Sequence, residues 1–361
     1  MLTVSGARPQ IIKAAAVSRA ISSKFNERIE EVLLHTGQHY DQNMSQVFFD
    51  ELGIPKADIN LAIGSVSHGA QTARMLEGIE QAILDRKPDV VLLYGDTNST
   101  LAGAVAASKL HVPVAHVEAG LRSFNKRMPE EVNRIVCDHC STWLFCPTDR
   151  AVSNLRREGF ADHASARPDL DHPAVLQVGD VMYDNSMHFS GLARQRSTLL
   201  AELRLIDKPF ALVTVHRNNN TDEPARLNAI FRALLDLHRR HELAIVLPVH
   251  PRLRKCMDEL LDAKLKTEVD ASTTFHLTPP AGFLDMIALE SAARLVLTDS
   301  GGVQKEAYFF GRRCVILRPE TEWVELVEHG QAAIVDVDEA RIASVADRFL
   351  EQGAPACPPI F

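Results

Sequence analysis

The segment Arg294–Gly311, RLVLTDSGGVQKEAYFFG, constrains the fold more than any other stretch of the chain. Leu295-Val296-Leu297 is a short continuous apolar run, the mark of a strand buried on both faces. Asp299 and Ser300 follow as helix-start residues, and Gly301-Gly302 leaves the backbone bare. Val303, Ala307 and Phe310 then recur at helical spacing, so the chain runs strand, tight turn, helix. Such a turn aims free N–H groups and the positive end of a helix dipole at one spot, which makes an anion cradle. A Ser-Gly-Gly turn is also ordinary in α/β folds; Glu306 adds the distinguishing feature. One turn into the helix, its carboxylate is placed to accept both hydroxyls of a ribose while the turn holds a diphosphate. The arrangement suits a nucleoside diphosphate.

At 361 residues the chain is too long for one compact core and suits two domains. A net charge of −8 and a pI near 6.0 argue against wrapping nucleic acid or lying on an anionic membrane. Phosphate chemistry must therefore use local positive charge. No stretch approaches the ~20 apolar residues of a membrane span. The start, MLTVSGARP, runs straight into a strand, so no secretory leader is expected. The scattered cysteines fit reduced thiols in a cytosol, and Cys137-x-x-Cys140 lacks a second pair, so no metal site is expected.

Taken in order, apolar runs alternate with helical patterns. Strands are expected at Leu2–Ser5, 31–35, 90–93, 112–117 and 143–146, with helices at 67–84, 102–107 and from Pro129. Residues 161–173 read as a surface loop at a domain junction, with Val175–Asp180 opening a second half. There, strands are expected at 210–215, 245–249, 274–277, 295–297 and 314–317. This pattern implies α/β architecture, with doubly wound parallel sheets in domains 1–172 and 173–340. The helix and tail of 341–361 are expected to return to brace the first domain. Two such halves place a cleft between them, and ligands of such sheets sit beyond the carboxyl ends of the strands.

Asp96, Glu118, His216, His250, Asp299 and Ser300 all fall just after an expected strand. Singly, each has a helix-capping explanation; several on one rim point to chemistry. The chain has no G-x-G-x-x-G after its first strand and no G-x-x-x-x-G-K-[ST], so neither a Rossmann NAD site nor a P-loop is supported. Arg8 lies at the mouth of the first strand–turn–helix unit, with Lys13 near it, and a diphosphate between Arg8 and the 300–302 turn would be held without metal.

The segments GARPQIIK (6–13), HTGQHY (35–40), YGDT (94–97), HVEAGLR (116–122), PEEVNR (129–134) and DSGG (299–302) recur in this order over nearly the whole chain. Together they closely resemble the non-hydrolysing UDP-N-acetylglucosamine 2-epimerases. The resemblance implies a GT-B-like fold of two Rossmann-like domains facing a central cleft, usually a homodimer, interconverting UDP-GlcNAc and UDP-ManNAc without NAD, in surface-polysaccharide synthesis. Gln10 stands where many members carry Glu, and residues 122–129 read RSFNKRMP. Both features look more like the branch acting on UDP-2,3-diacetamido-2,3-dideoxyglucuronate, where Arg122, Lys126 and Arg127 would suit a sugar carboxylate. Lys305 stands where another acid is common.

The hydrogen on C2 of an acetamido sugar has no adjacent carbonyl carbon, so direct deprotonation is not available. Breaking the C1–O bond first gives C1 oxocarbenium character and makes the C2 proton acidic. A glycal forms, is re-protonated on the other face, and UDP adds back. The resemblance places Asp96, Glu118 and Glu130 as the acid–base carboxylates, with Lys13 and Arg134 orienting them. Arg8, His216 and the Ser300, Gly301 and Gly302 turn would hold the leaving diphosphate, and Glu306 the ribose. Gln38, His39, Gln71 and His250 look like the region where some members bind a second, activating UDP-GlcNAc. A GT-B glycosyltransferase would share the fold, the cradle and Glu306, and is the alternative.

Overall fold

The apolar runs become parallel strands in two sheets of the computed structural model. It describes residues 1–37, 56–64, 66–160, 167–355 and 357–361. The first sheet comprises β1 (Leu2–Ser5), β2 (Val32–His35), β3 (Ile59–Asn60), β4 (Val91–Tyr94), β5 (Val114–Val117), β6 (Trp143–Cys146) and β7 (Ala174–Gln177), in the order β3-β2-β1-β4-β5-β6-β7. The second comprises β8 (Phe210–Thr214), β9 (Ala244–Pro248), β10 (Phe275–Thr278), β11 (Leu295–Thr298), β12 (Cys314–Ile316) and β13 (Ala332–Ile334), in the order β10-β9-β8-β11-β12-β13. Every pairing is parallel, and helices lie in the crossovers that the described residues cover in full. Both units are Rossmann-like and doubly wound, the pair of units that a GT-B-like fold contains.

The chain divides into one unit of Met1–Asn185 with Ile360–Phe361, and another of Ser186–Pro359. Val175–Asp180, expected to open the second half, instead begins within β7, which pairs with β6 from Trp143↔Ala174 to Cys146↔Gln177, because an edge strand was still open there. Two short strands, Ile59–Asn60 and Ala332–Ile334, have runs too brief to stand out in the sequence. The helix Glu339–Gln352 buries Ile342, Ala346 and Phe349 in the core of the second unit, against the helix Pro224–His241.

Buried strands have continuous apolar sequences for a simple reason. Val91, Leu93 and Tyr94, and likewise Leu295, Val296 and Leu297, are fully enclosed because helices cover both faces of each sheet. In the first unit the helix Asn98–Lys109 is alanine-rich, which lets it lie close against the helix His68–Arg86. Each sheet reverses its strand order at one place, between β1 and β4 and between β8 and β11. The loops leaving those four strands therefore diverge to opposite faces and open a crevice at each carboxyl edge.

Beyond β1, Gly6 lies flush against the hydroxyl pair of Thr36 and Ser99, which are 2.8 Å apart. A Cβ at Gly6 would fall 2.1 Å from the Thr36 oxygen and 2.2 Å from that of Ser99. Gly6→Ala is therefore expected to force the β1 and β4 loops apart and cost about 1–3 kcal/mol, as overpacking does. Urea unfolding measures it, and an unchanged midpoint would show that the hydroxyl pair yields.

Candidate active site

The crevice of the first unit gathers acids and cations. The helix Arg8–Ala20 starts at the expected place, with proline in its first turn, and carries Lys13 over the end of β4. Lys13 forms an ion pair with Glu118 just past β5, and both side chains are nine-tenths buried or nearly so. Gly95 turns left-handed at φ +60°, and a Cβ there would sit 3.2 Å from both the Lys13 Nζ and the Glu118 carboxylate. Glu118 itself holds φ +75°, an unusual conformation for a side-chain-bearing residue, while its N–H and that of Ala119 donate to the Phe145 carbonyl. The strain aims its carboxylate back at Lys13.

Arg134, from the helix Pro129–His139, reaches Asp96 at 2.5 Å and Glu131 at 3.2 Å. Burial lowers the affinity of Arg134 for its proton, but Asp96, Glu118 and Glu131 outweigh that and hold it above the ordinary arginine range. Asn133 fixes the same loop from the next position, donating to the Asp96 carbonyl at 2.9 Å. Lys13, Asp96, Glu118 and Arg134 are thus brought together. Glu130 is exposed on the first turn of its helix, whereas its neighbour Glu131 is buried. Glu131 accepts from Ser123 N–H (2.8 Å), Ser123 O–H (3.0 Å) and Phe124 N–H (2.9 Å). Burial pushes its carboxyl up, but these bonds and Arg134 bring it below the usual range. Glu131 braces the 122–128 loop and Arg134, a role without apolar periodicity to betray it in the sequence.

Beneath the two loops lies a buried charge network that the sequence reading missed. His116 Nδ1 meets Asp138 at 2.7 Å and Nε2 meets the Gly95 carbonyl at 2.8 Å. The Gly95 carbonyl only accepts, and so does the Asp138 carboxylate, which burial raises but His116 and Arg122 bring below its usual range; both ring nitrogens therefore donate and the ring is an imidazolium. Burial opposes that charge, but Cys137 and Asp138 outweigh it and raise His116 well above the histidine range. Asp138 also takes the Gly120 N–H at 3.1 Å and Arg122 at 2.7 Å. Arg122 grips Glu158 through two 2.7 Å bonds. It is a structural cation already engaged, while Lys126 and Arg127 remain exposed. Gln10 is likewise structural. Its oxygen accepts from Gly6 and Ala7 N–H, and its nitrogen donates to the Tyr94 carbonyl (2.8 Å) and Thr100 (2.9 Å), bonds an ionised glutamate lacks.

Gln71 is buried and accepts from Asn98 at 2.8 Å, and Asn98 accepts in turn from Asn133 at 3.4 Å, so an amide chain links it to the Asp96 loop. Gln38 and His39 lie outside the described residues, as does the side chain of Arg8.

In the second unit, β8 and β11 run in register from Leu295↔Ala211 to Thr298↔Thr214, which sets His216 beside the Ser300 turn. Asp299, read from the sequence as a helix-start residue, turns inward instead. It accepts from the His216 and Arg217 N–H groups at 3.0–3.1 Å and from Asn220 at 3.0 Å. Its carboxylate also holds His216 Nδ1 at 2.8 Å, leaving Nε2 to face outward on a ring half exposed to solvent. Burial raises Asp299, but His216 and these bonds bring it below the usual carboxylate range.

Ser300 caps the helix Gly301–Phe309 with no side-chain hydrogen bond. A Cβ at Gly302 would meet nothing nearer than Glu306 Oε2 and Ser300 Oγ, both 3.9 Å away, and at Gly301 nothing nearer than Glu322 at 3.6 Å. Neither glycine is demanded by the packing of the described residues, and the backbone at this helix start is left bare. Glu306 reaches back to that mouth. Arg318, held by Glu322 through two 3.0 Å bonds, flanks it, and Lys305 lies buried with its ammonium 4.1 Å from the Trp323 ring centre. His250 is exposed, capping the helix Pro251–Leu260 through Arg252 N–H.

One crevice presents paired acids and cations, and the other an anion cradle with an oriented histidine, as in enzymes that act on nucleotide-linked substrates. Residues 22–357 match the family described as UDP-N-acetylglucosamine 2-epimerase, and the chain belongs to that family. It is 51% identical, over 93% of this chain and 88% of the relative, to a UDP-2,3-diacetamido-2,3-dideoxy-D-glucuronate 2-epimerase of Pseudomonas aeruginosa. It is 46% identical, over 97% and 92%, to a UDP-N-acetylglucosamine 2-epimerase homolog of Methanococcus maripaludis. Among solved structures, the Methanocaldococcus jannaschii UDP-GlcNAc 2-epimerase in complex with UDP-GlcNAc and UDP superposes with a TM-score of 0.81 at 37% identity, covering 100% of this chain and 95% of that one.

The cradle geometry yields a direct test. Gly302→Ala has room within the fold and favours the helix, so stability is expected to stay within about 1 kcal/mol. The added methyl stands over the free N–H groups, and UDP affinity measured by calorimetry is expected to fall about tenfold or more. Unchanged UDP affinity would remove the cradle from the binding site.

Proposed function

We propose that the chain inverts C2 of a UDP-2-acetamido sugar by anti elimination of UDP and re-addition to the glycal, with UDP-2,3-diacetamido-2,3-dideoxyglucuronate as the preferred substrate. The observation that carries the reading is the cluster beyond β4 and β5, where Asp96 and Glu118 are each tied to a separate cation. Two acids on separate tethers suit removal of a proton from one face and its return on the other. The uronate preference is supported by the 51% identity to the Pseudomonas enzyme.

In this reading Asp96 and Glu118 exchange the C2 proton, and Lys13 and Arg134 orient them. Glu130, exposed beside the cluster, is the third acid, since the oxygens of Glu131 are already engaged. The Ser300–Gly302 turn, Arg8 and His216 take the charge that develops on the departing diphosphate, an electrostatic contribution that removal of one donor reduces ~10²–10³-fold in comparable sites. Asp299 keeps His216 Nε2 facing outward for that purpose, and Glu306 takes the ribose. Gln38, His39, Gln71 and His250 form the region for a second, activating UDP-sugar. The enzyme acts as a homodimer in the cytosol, in keeping with its free cysteines; no helix among the described residues is long and apolar enough to cross a membrane.

Incubation of the enzyme in D2O with the diacetamido uronate, and separately with UDP-GlcNAc, followed by proton NMR, tests the mechanism. Deuterium is expected at C2 of the manno isomer, with no free sugar. Asp96→Asn is expected to slow exchange ~10²–10⁴-fold. UDP release only with an added acceptor, and exchange untouched by Asp96→Asn, would identify a glycosyltransferase instead.

A further inference from the structure

The helix Phe283–Ala292 packs against the cradle helix Gly301–Phe309, and it carries one acid into the interface, Glu290. That side chain is buried at 1% exposure, and neither carboxylate oxygen has a hydrogen-bond donor among the described residues. The group it faces is the carboxylate of Glu306. A buried acid without a cation does not persist as an anion beside a second acid, because both desolvation and like charge oppose it. Burial and then Glu306 accordingly push the Glu290 carboxyl well above its ordinary range. A carboxyl that keeps its proton is a hydrogen-bond donor, and the acceptor in front of it is Glu306.

We propose that Glu290 is a positioning residue, a protonated carboxyl that donates to Glu306 and holds its carboxylate toward the two hydroxyls of the ribose. The proposal rests on the reading of Glu306 as the ribose ligand. The hydrogen bond also explains why the buried face of the helix Phe283–Ala292, formed by Phe283, Leu284, Ile287, Ala288 and Leu289, keeps a glutamate among them. Glu306 lies at the mouth of the cradle, its Oε2 placed 3.9 Å from where a Cβ on Gly302 would be. Fixing that carboxylate before the nucleotide arrives removes rotamer freedom that binding would otherwise have to freeze.

The test compares calorimetric affinities for UDP and 2′,3′-dideoxyuridine diphosphate in the full-length enzyme. The ratio of the two reads the ribose contacts and cancels changes elsewhere. In Glu290→Leu, UDP affinity is expected to fall about tenfold and the ratio to collapse toward one, the effect of one charge-assisted hydrogen bond. Glu290→Gln, whose amide also donates, is expected to keep the ratio within about threefold of the parent. Glu290→Met serves as the apolar replacement if the leucine variant does not fold, and thermal melts establish that each variant does. An unchanged ratio in the apolar variant, alongside a collapsed ratio in Glu306→Gln, overturns the proposal. So does a glutamine variant as impaired as the apolar one. An unchanged ratio in Glu306→Gln itself overturns the ribose reading beneath it.

Discussion

The ion pairs Lys13–Glu118 and Arg134–Asp96 are the interactions on which the first crevice depends. The two carboxylates at the ends of neighbouring strands, Asp96 and Glu118, would repel one another if the helix Arg8–Ala20 and the helix Pro129–His139 did not each send a cation between them. Burial raises the cost of every unpaired charge, so the loops stay closed only around the complete set. The same pairing keeps the acids apart from one another and directed into one space. Stability of the loops and arrangement of the acids are therefore one property.

Below that layer, His116 and Asp138 do for the backbone what the ion pairs do for the side chains. The imidazolium binds the carbonyl of Gly95, next to Asp96, and Asp138 binds the N–H of Gly120, two residues beyond Glu118. The left-handed turns at Gly95 and Glu118 are held by groups that have no solvent to exchange with. Arg122 and Glu158 neutralise the remaining charge at the edge of the network.

The second crevice works by a different means. It sets backbone N–H groups at a helix start beside two glycines around which the fold leaves open space. Its acids point in opposite senses. Asp299 looks inward and orients His216, while Glu306 looks back to the cradle mouth.

Much of this was written in the chain itself. Continuous apolar runs marked the central strands, since burial on both faces leaves no polar alternation to confuse the reading, and Pro9 and Pro129 marked helix starts. Glycine pairs and polar residues after strands located both crevices, because a parallel sheet puts its loops at one edge. Tertiary structure alone decided the rest. It assigned Ala174–Gln177 to the first sheet, since strand pairing depends on which edge is open and not on the strand's own residues. It separated Glu131 from Glu130 and Arg122 from Lys126, because adjacent charges look alike in sequence and differ only in what encloses them. It placed Glu290 beside Glu306, a contact between two helices that no spacing along the chain encodes.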